Sequence, residues 1–201
     1  MNKLTQGIGY LLALLIPSTA TAHSFGAGTD QFASFVEGAS VVLFDQVTLF
    51  AALSLGLIIA LWQRQGVIVA IPLFVAGLLL GFLLAPSAQP WVIVGTTVTG
   101  AVTATLAASL NQQIKVMVLV MALLTGLFCQ FVSLLGHTWL ELSAAIYIGV
   151  SFGALLPVMM GAAVGEVMLE KLPSAFAHIA VRVAASWLAA IQIMMLAFFT
   201  R

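Results

Sequence analysis

Six residues give one side of this otherwise apolar chain its capacity for ionic or metal-binding chemistry: His23, Asp30, Glu37, Asp45, His137 and Glu141. Carboxylates and imidazoles together offer the oxygen and nitrogen donors that suit a divalent transition metal such as nickel, although no motif of fixed spacing joins them. Asp45 is the sharpest of the set. It lies among Val41, Val42, Leu43, Phe44 and Val47, with Gln46 and Thr48 the polar neighbours in its own turn. A carboxylate there must be neutral, hydrogen-bonded or paired, which leaves a structural role in a bundle interior or a role in cation or proton passage. Glu37 and Glu141 read either as solvated interfacial acids or as ligands. His137, which follows Gly136 at a helix end, has the same two readings. His23 would become a chelating amine and imidazole pair only if processing made it the first residue.

Other chemistries find less support. Met117, Met121 and Cys129 recur at helical spacing and offer soft donors for copper(I), but the pattern fits apolar filling of a helix interface better, as do Met159-Met160 and Met194-Met195. A single cysteine excludes an intramolecular disulfide and a CxxC motif. No GxSxG, HExxH, P-loop or dinucleotide fingerprint occurs, so neither catalysis nor a permanently bound cofactor is expected. Six basic and six acidic residues leave no basic face for nucleic acid.

The elements that position these residues must sit in lipid. At 63% hydrophobic and 6% charged, the chain could not cover its apolar surface in water. The expected fold is an all-α polytopic membrane bundle, with spans at about 39–62, 67–85, 91–110, 114–136, 141–165 and 178–199, each long enough for a bilayer. Ahead of them, Lys3, the short apolar run from Ile8 to Ile16, Pro17 and Ala20-Thr21-Ala22 have the layout of a secretory signal peptide. Residues 1–22 are therefore expected to be removed, and 23–201 to form a single six-helix domain whose mature N-terminus faces the periplasm of a bacterium. Arg64, Lys115 and Lys171 then fall on the cytoplasmic side, with Arg182 able to snorkel there, as the positive-inside rule requires. On the same side His178 is expected near Glu166, Glu170 and Arg182 in a modest charge cluster.

Small residues spaced for close backbone approach, Gly77 and Gly81, Gly149 and Gly153, Gly161 and Gly165, imply a compact bundle. The third span carries Thr96, Thr97, Thr99, Thr103 and Thr105, whose hydroxyls can bond back to the preceding turn. It is expected either to be a central helix packed on all sides or to line a polar path. Pro72 and Pro86-Ser87-Ala88 recur as Pro157 and Pro173-Ser174-Ala175, a faint echo that would make the two halves inverted repeats.

The order of features resembles the HupE/UreJ family, small membrane accessory proteins of nickel hydrogenases and ureases that are regarded as nickel or cobalt permeases. The likeness rests on the signal segment ending Ala22-His23, on Phe44-Asp45-Gln46 within Phe35 to Leu57, on Glu141 followed by Tyr147, Gly149 and Phe152, and on a last span entered through Arg182 and Ala184-Ala185-Ser186. It departs where the family has histidines: Ala39-Ser40 stand for its first His-Pro pair, Gln46 for the histidine after the aspartate, and Leu43 for the glycine before it. The resemblance implies transport or delivery of Ni2+ or Co2+ from periplasm to cytoplasm, with Asp45, Glu37, His137, Glu141 and His23 as candidate ligands. The missing imidazoles leave open a non-transporting structural or assembly subunit, with membrane-protein partners or further copies of the chain around it.

Overall fold

A computed structural model describes residues 30–199; the expected signal segment and His23 lie outside the described residues. The fold is all-α. Among the described residues seven helices follow in order: α1 Gln31–Phe44, α2 Gln46–Trp62, α3 Gly66–Leu84 with a 3-10 turn at Ala85–Ser87, α4 Trp91–Ser109, α5 Lys115–Ser133, α6 Ala144–Lys171 and α7 Ser174–Phe199. Their ends fall where backbone chemistry requires. Asp30 caps α1 by accepting from the Phe32 amide at 3.0 Å, Pro86 and Pro90 bound the α3–α4 connection, and Gly136 turns the chain after α5 at φ +86°.

Among the described residues five helices are long and apolar enough to cross a membrane, and the α1–α2 pair adds a sixth if it counts as one span. The expected first span, 39–62, is not one helix. Helix begins at Gln31 and breaks at Asp45, where α1 and α2 meet at 77°. The fifth expected span, 141–165, is Ala144–Lys171, and the sixth, 178–199, begins at Ser174. The 17 residues of α2 rise only about 25 Å, so Asp45 sits near one boundary of a hydrocarbon layer about 30 Å thick rather than at its centre.

Close glycine contacts fix how the helices pair. Gly77 of α3 and Gly126 of α5 each lie against the other helix's backbone, at Leu123–Leu127 and Phe74–Leu78. Gly56 of α2 and Gly161 of α6 repeat that crossing, against Val158–Ala162 and Leu53–Gly56. One turn on, Gly81 meets Leu127 and Gln130, while Gly165 meets Ala60. Thus α3 runs parallel to α5, and α2 parallel to α6. The remaining pair, α4 and α7, is antiparallel, with Gly100 beside Gln192 and Ala108 beside Arg182. Exchanging α2-α3-α4 with α5-α6-α7 maps each of these pairings onto another or onto itself, which is the relation the proline echo suggested. The match is partial: α2 also packs on α4, whereas α5 and α7 have no corresponding contact. α1 crosses the start of α6, where Gly38 meets Ile146 and Gly149 meets Phe35.

Two packing expectations need correction. α4 is not enclosed on all sides, since Val98, Val102 and Thr105 face outward. Met159, Met160 and Met194 do not fill a helix interface; they are exposed on the outside of the bundle. The exposed large side chains of the long helices are overwhelmingly apolar, including Leu79, Leu83, Ile148, Val167 and Trp187, as a bundle solvated by lipid requires.

Candidate functional site

Asp45 occupies the break itself. Its backbone is extended, at φ −81° and ψ 114°, and its amide still closes α1 by donating to Val41 O. The carboxylate caps α2: Oδ1 accepts from the Val47 amide at 3.4 Å, and Oδ2 from the Thr48 amide at 3.0 Å and the Thr48 hydroxyl at 2.9 Å. The positive end of a helix dipole and donated hydrogen bonds thus meet the acid. The partner the sequence demanded is the start of its own helix.

Asp45 lines a cavity of about 460 Å³ together with Val41, Val47, Ile93, Ser133 and His137. His137 reaches it from the α5–α6 connection, its ring mostly buried. That connection is pinned on several sides. Trp139 Nε1 donates to Phe82 O at 3.2 Å and Tyr147 OH to Thr138 O at 3.3 Å, while Glu141 Oε2 accepts from the Thr138 amide at 2.8 Å and hydroxyl at 3.1 Å. Those Thr138 bonds, the amide first, hold the Glu141 carboxyl below its ordinary value. Glu141 Oε1 lies 3.8 Å from His137 Nδ1.

Of the residues singled out in the sequence, Asp45 and His137 converge on one cavity and Glu141 sits beside His137. Glu37, half-buried on α1, is not among the cavity's lining. Among the described residues no three of His, Cys, Asp and Glu gather as a metal ion held by protein alone would require. Cys129 is buried, with its thiol 3.9 Å from Thr48 O.

At the opposite end stand Arg64, Lys115, Lys171 and Arg182, all the basic residues among those described. The expected cluster of His178 with Glu166, Glu170 and Arg182 is arranged differently. Arg64 pairs with Glu170 at 2.8 Å, and Arg182 turns to the C-terminus of α4, donating to Ala108 O and Asn111 Oδ1 at 2.7 Å and Ser109 O at 3.0 Å. The carbonyls that end α4 attract a cation more directly than solvated acids do.

Several polar residues of the interior were not singled out from the sequence, among them Ser54, Gln130 and Gln192. Gln130 and Gln192 are buried, and Gln192 Nε2 donates to Ser54 Oγ at 3.1 Å. The signal was present, since an amide inside an apolar span is costly wherever it faces. All five threonines of α4 bond back to the carbonyl four residues earlier, as expected. Compared with models of known protein families, with curated proteins and with solved structures, the chain finds no match.

Proposed function

We propose that this protein admits a hydrated divalent cation, of the nickel or cobalt class, at the acidic end of the bundle and passes it toward the basic end across a bacterial inner membrane. The observation that carries this is the helix break at Asp45, which opens onto a cavity shared with His137. Discontinuous helices whose ends face an internal cavity are how many transporters build their ion sites, as are paired inverted halves; here the walls are mostly apolar, and Asp45, Ser133 and His137 are the polar points. At about 30 Å³ per water, a cavity of about 460 Å³ has room for an ion with its full hydration shell. One carboxylate and one imidazole make a weak, outer-sphere site, from which an ion can also leave. The four basic residues at the far end favour that end as cytoplasmic, and on this reading the Asp45 mouth opens to the periplasm.

A non-transporting assembly subunit is favoured by a different observation: the Asp45 carboxylate is already engaged by three donors of α2. Asn caps a helix as well as Asp does, whereas Ala does not and costs about 1 kcal/mol. Uptake of radiolabelled nickel and cobalt, measured in cells at matched membrane levels beside thermal unfolding in detergent, therefore separates the two. Transport predicts that Asp45→Asn keeps the melting temperature and loses uptake, and that Asp45→Ala loses both. Full uptake by Asp45→Asn, or none by the unaltered chain, would move the assignment to the assembly subunit.

A further inference from the structure

Mid-way along the bundle, α2, α4 and α7 meet at Ser54, Gly100 and Gln192. Gln192 is fully buried. Its amide nitrogen is satisfied twice, by Ser54 Oγ and by Leu188 O, both at 3.1 Å. Its amide oxygen has no hydrogen-bond partner and rests against Gly100, where any Cβ would collide with it. Ser54 Oγ spends its proton on Phe50 O at 2.7 Å, and Thr103, on the same side of α4 as Gly100 by helical spacing, spends its own on Thr99 O at 2.7 Å. Each hydroxyl oxygen therefore keeps a lone pair, Ser54 Oγ only one because it also accepts from Gln192. A buried acceptor left without a donor is costly and calls for an explanation, and an apolar residue at 192 would remove that cost.

We propose that Gln192 Oε1, with Ser54 Oγ and Thr103 Oγ1, is a second cation station at mid-depth, closed in this structure by the contact between Gln192 and Gly100. It takes a divalent cation that has kept part of its water shell, because the set consists of neutral oxygens only and cannot replace full hydration. Neutral oxygens hold an ion weakly enough for it to move on. This station rests on the transport assignment made for the Asp45 cavity and lies deeper along the same route.

Nickel uptake by the full chain tests it, with Gln192→Met, which fills the space without an acceptor oxygen, and Gln192→Glu, which restores one. Uptake is expected to fall at least tenfold in the Met variant, with an unchanged or higher melting temperature, and to persist in the Glu variant. Wild-type uptake in Gln192→Met, or equal loss in both variants, overturns the station while leaving the Asp45 site standing if Asp45→Asn still abolishes uptake. No uptake by the unaltered chain overturns both. Should Gln192→Met fail to accumulate, Ser54→Ala decides: a fall of threefold or more supports the station and wild-type uptake overturns it.

Discussion

At the scale of single residues, the acidic end is organised by carboxylates that accept from nearby donors. Asp45 draws on the first amides of α2, and Glu141 on Thr138. For Glu141 the consequence is a pH dependence of known sign. Its folded carboxyl titrates below the unfolded one, so its tie to Thr138 is fully present above the ordinary glutamate value of about 4.3 and is lost only as pH falls through the lower folded value. The Thr138 amide resonance should then shift in one step with a midpoint below about 4.3, and Glu141→Gln should abolish the step. A midpoint at or above that value would mean the bond does not form in solution. The need for a partner at Asp45 was legible from its apolar neighbours. That the partner is local backbone was not, because the choice between mid-helix and cap depends on ψ at one residue, which the crossing of α1 over α6 helps to set. The meeting of Asp45 with His137 is a contact between distant parts of the chain, and no spacing encodes it.

At the scale of elements, apolar length announced nearly every helix, and Pro, Gly and Asn clusters announced most of the ends. The 77° break escaped notice, since an Asp within a long apolar run reads as an anomaly in one span before it reads as the N-cap of a new helix, although Asp is among the strongest caps. Glycine spacing was legible as close packing, but which helices it joined was not. The structure assigns Gly77 with Gly126 and Gly56 with Gly161. Because an added Cβ would meet backbone that cannot rotate away, Gly126→Ala and Gly56→Ala should each destabilise the bundle by about 1–3 kcal/mol. Thermal unfolding in detergent would check this, and unchanged melting in both would mean that the two crossings are looser than the geometry requires.

At the scale of the whole molecule, the described basic residues are confined to one end of the bundle axis, where Glu166 and Glu170 accompany them. Asp45, His137 and Glu141 stand at one end, and Arg64, Lys115, Lys171 and Arg182 at the other. Between them the interior is largely apolar, with polar groups on buried side chains such as Thr48, Ser54, Thr103, Gln130 and Gln192. The gathering of the basic residues at one end was readable from the loops, whereas the interior glutamines were not, because the spans around them are so largely apolar. The central claim is that the Asp45 cavity receives a cation from the acidic end. Val132 lines that cavity, so a Val132→Cys chain in membranes, with buried Cys129 as a silent background, reports its occupancy through the rate of thiol labelling from that side. Nickel or cobalt should slow labelling severalfold, and Asp45→Asn should abolish the protection; a rate indifferent to metal, or protection that survives Asp45→Asn, would contradict the claim.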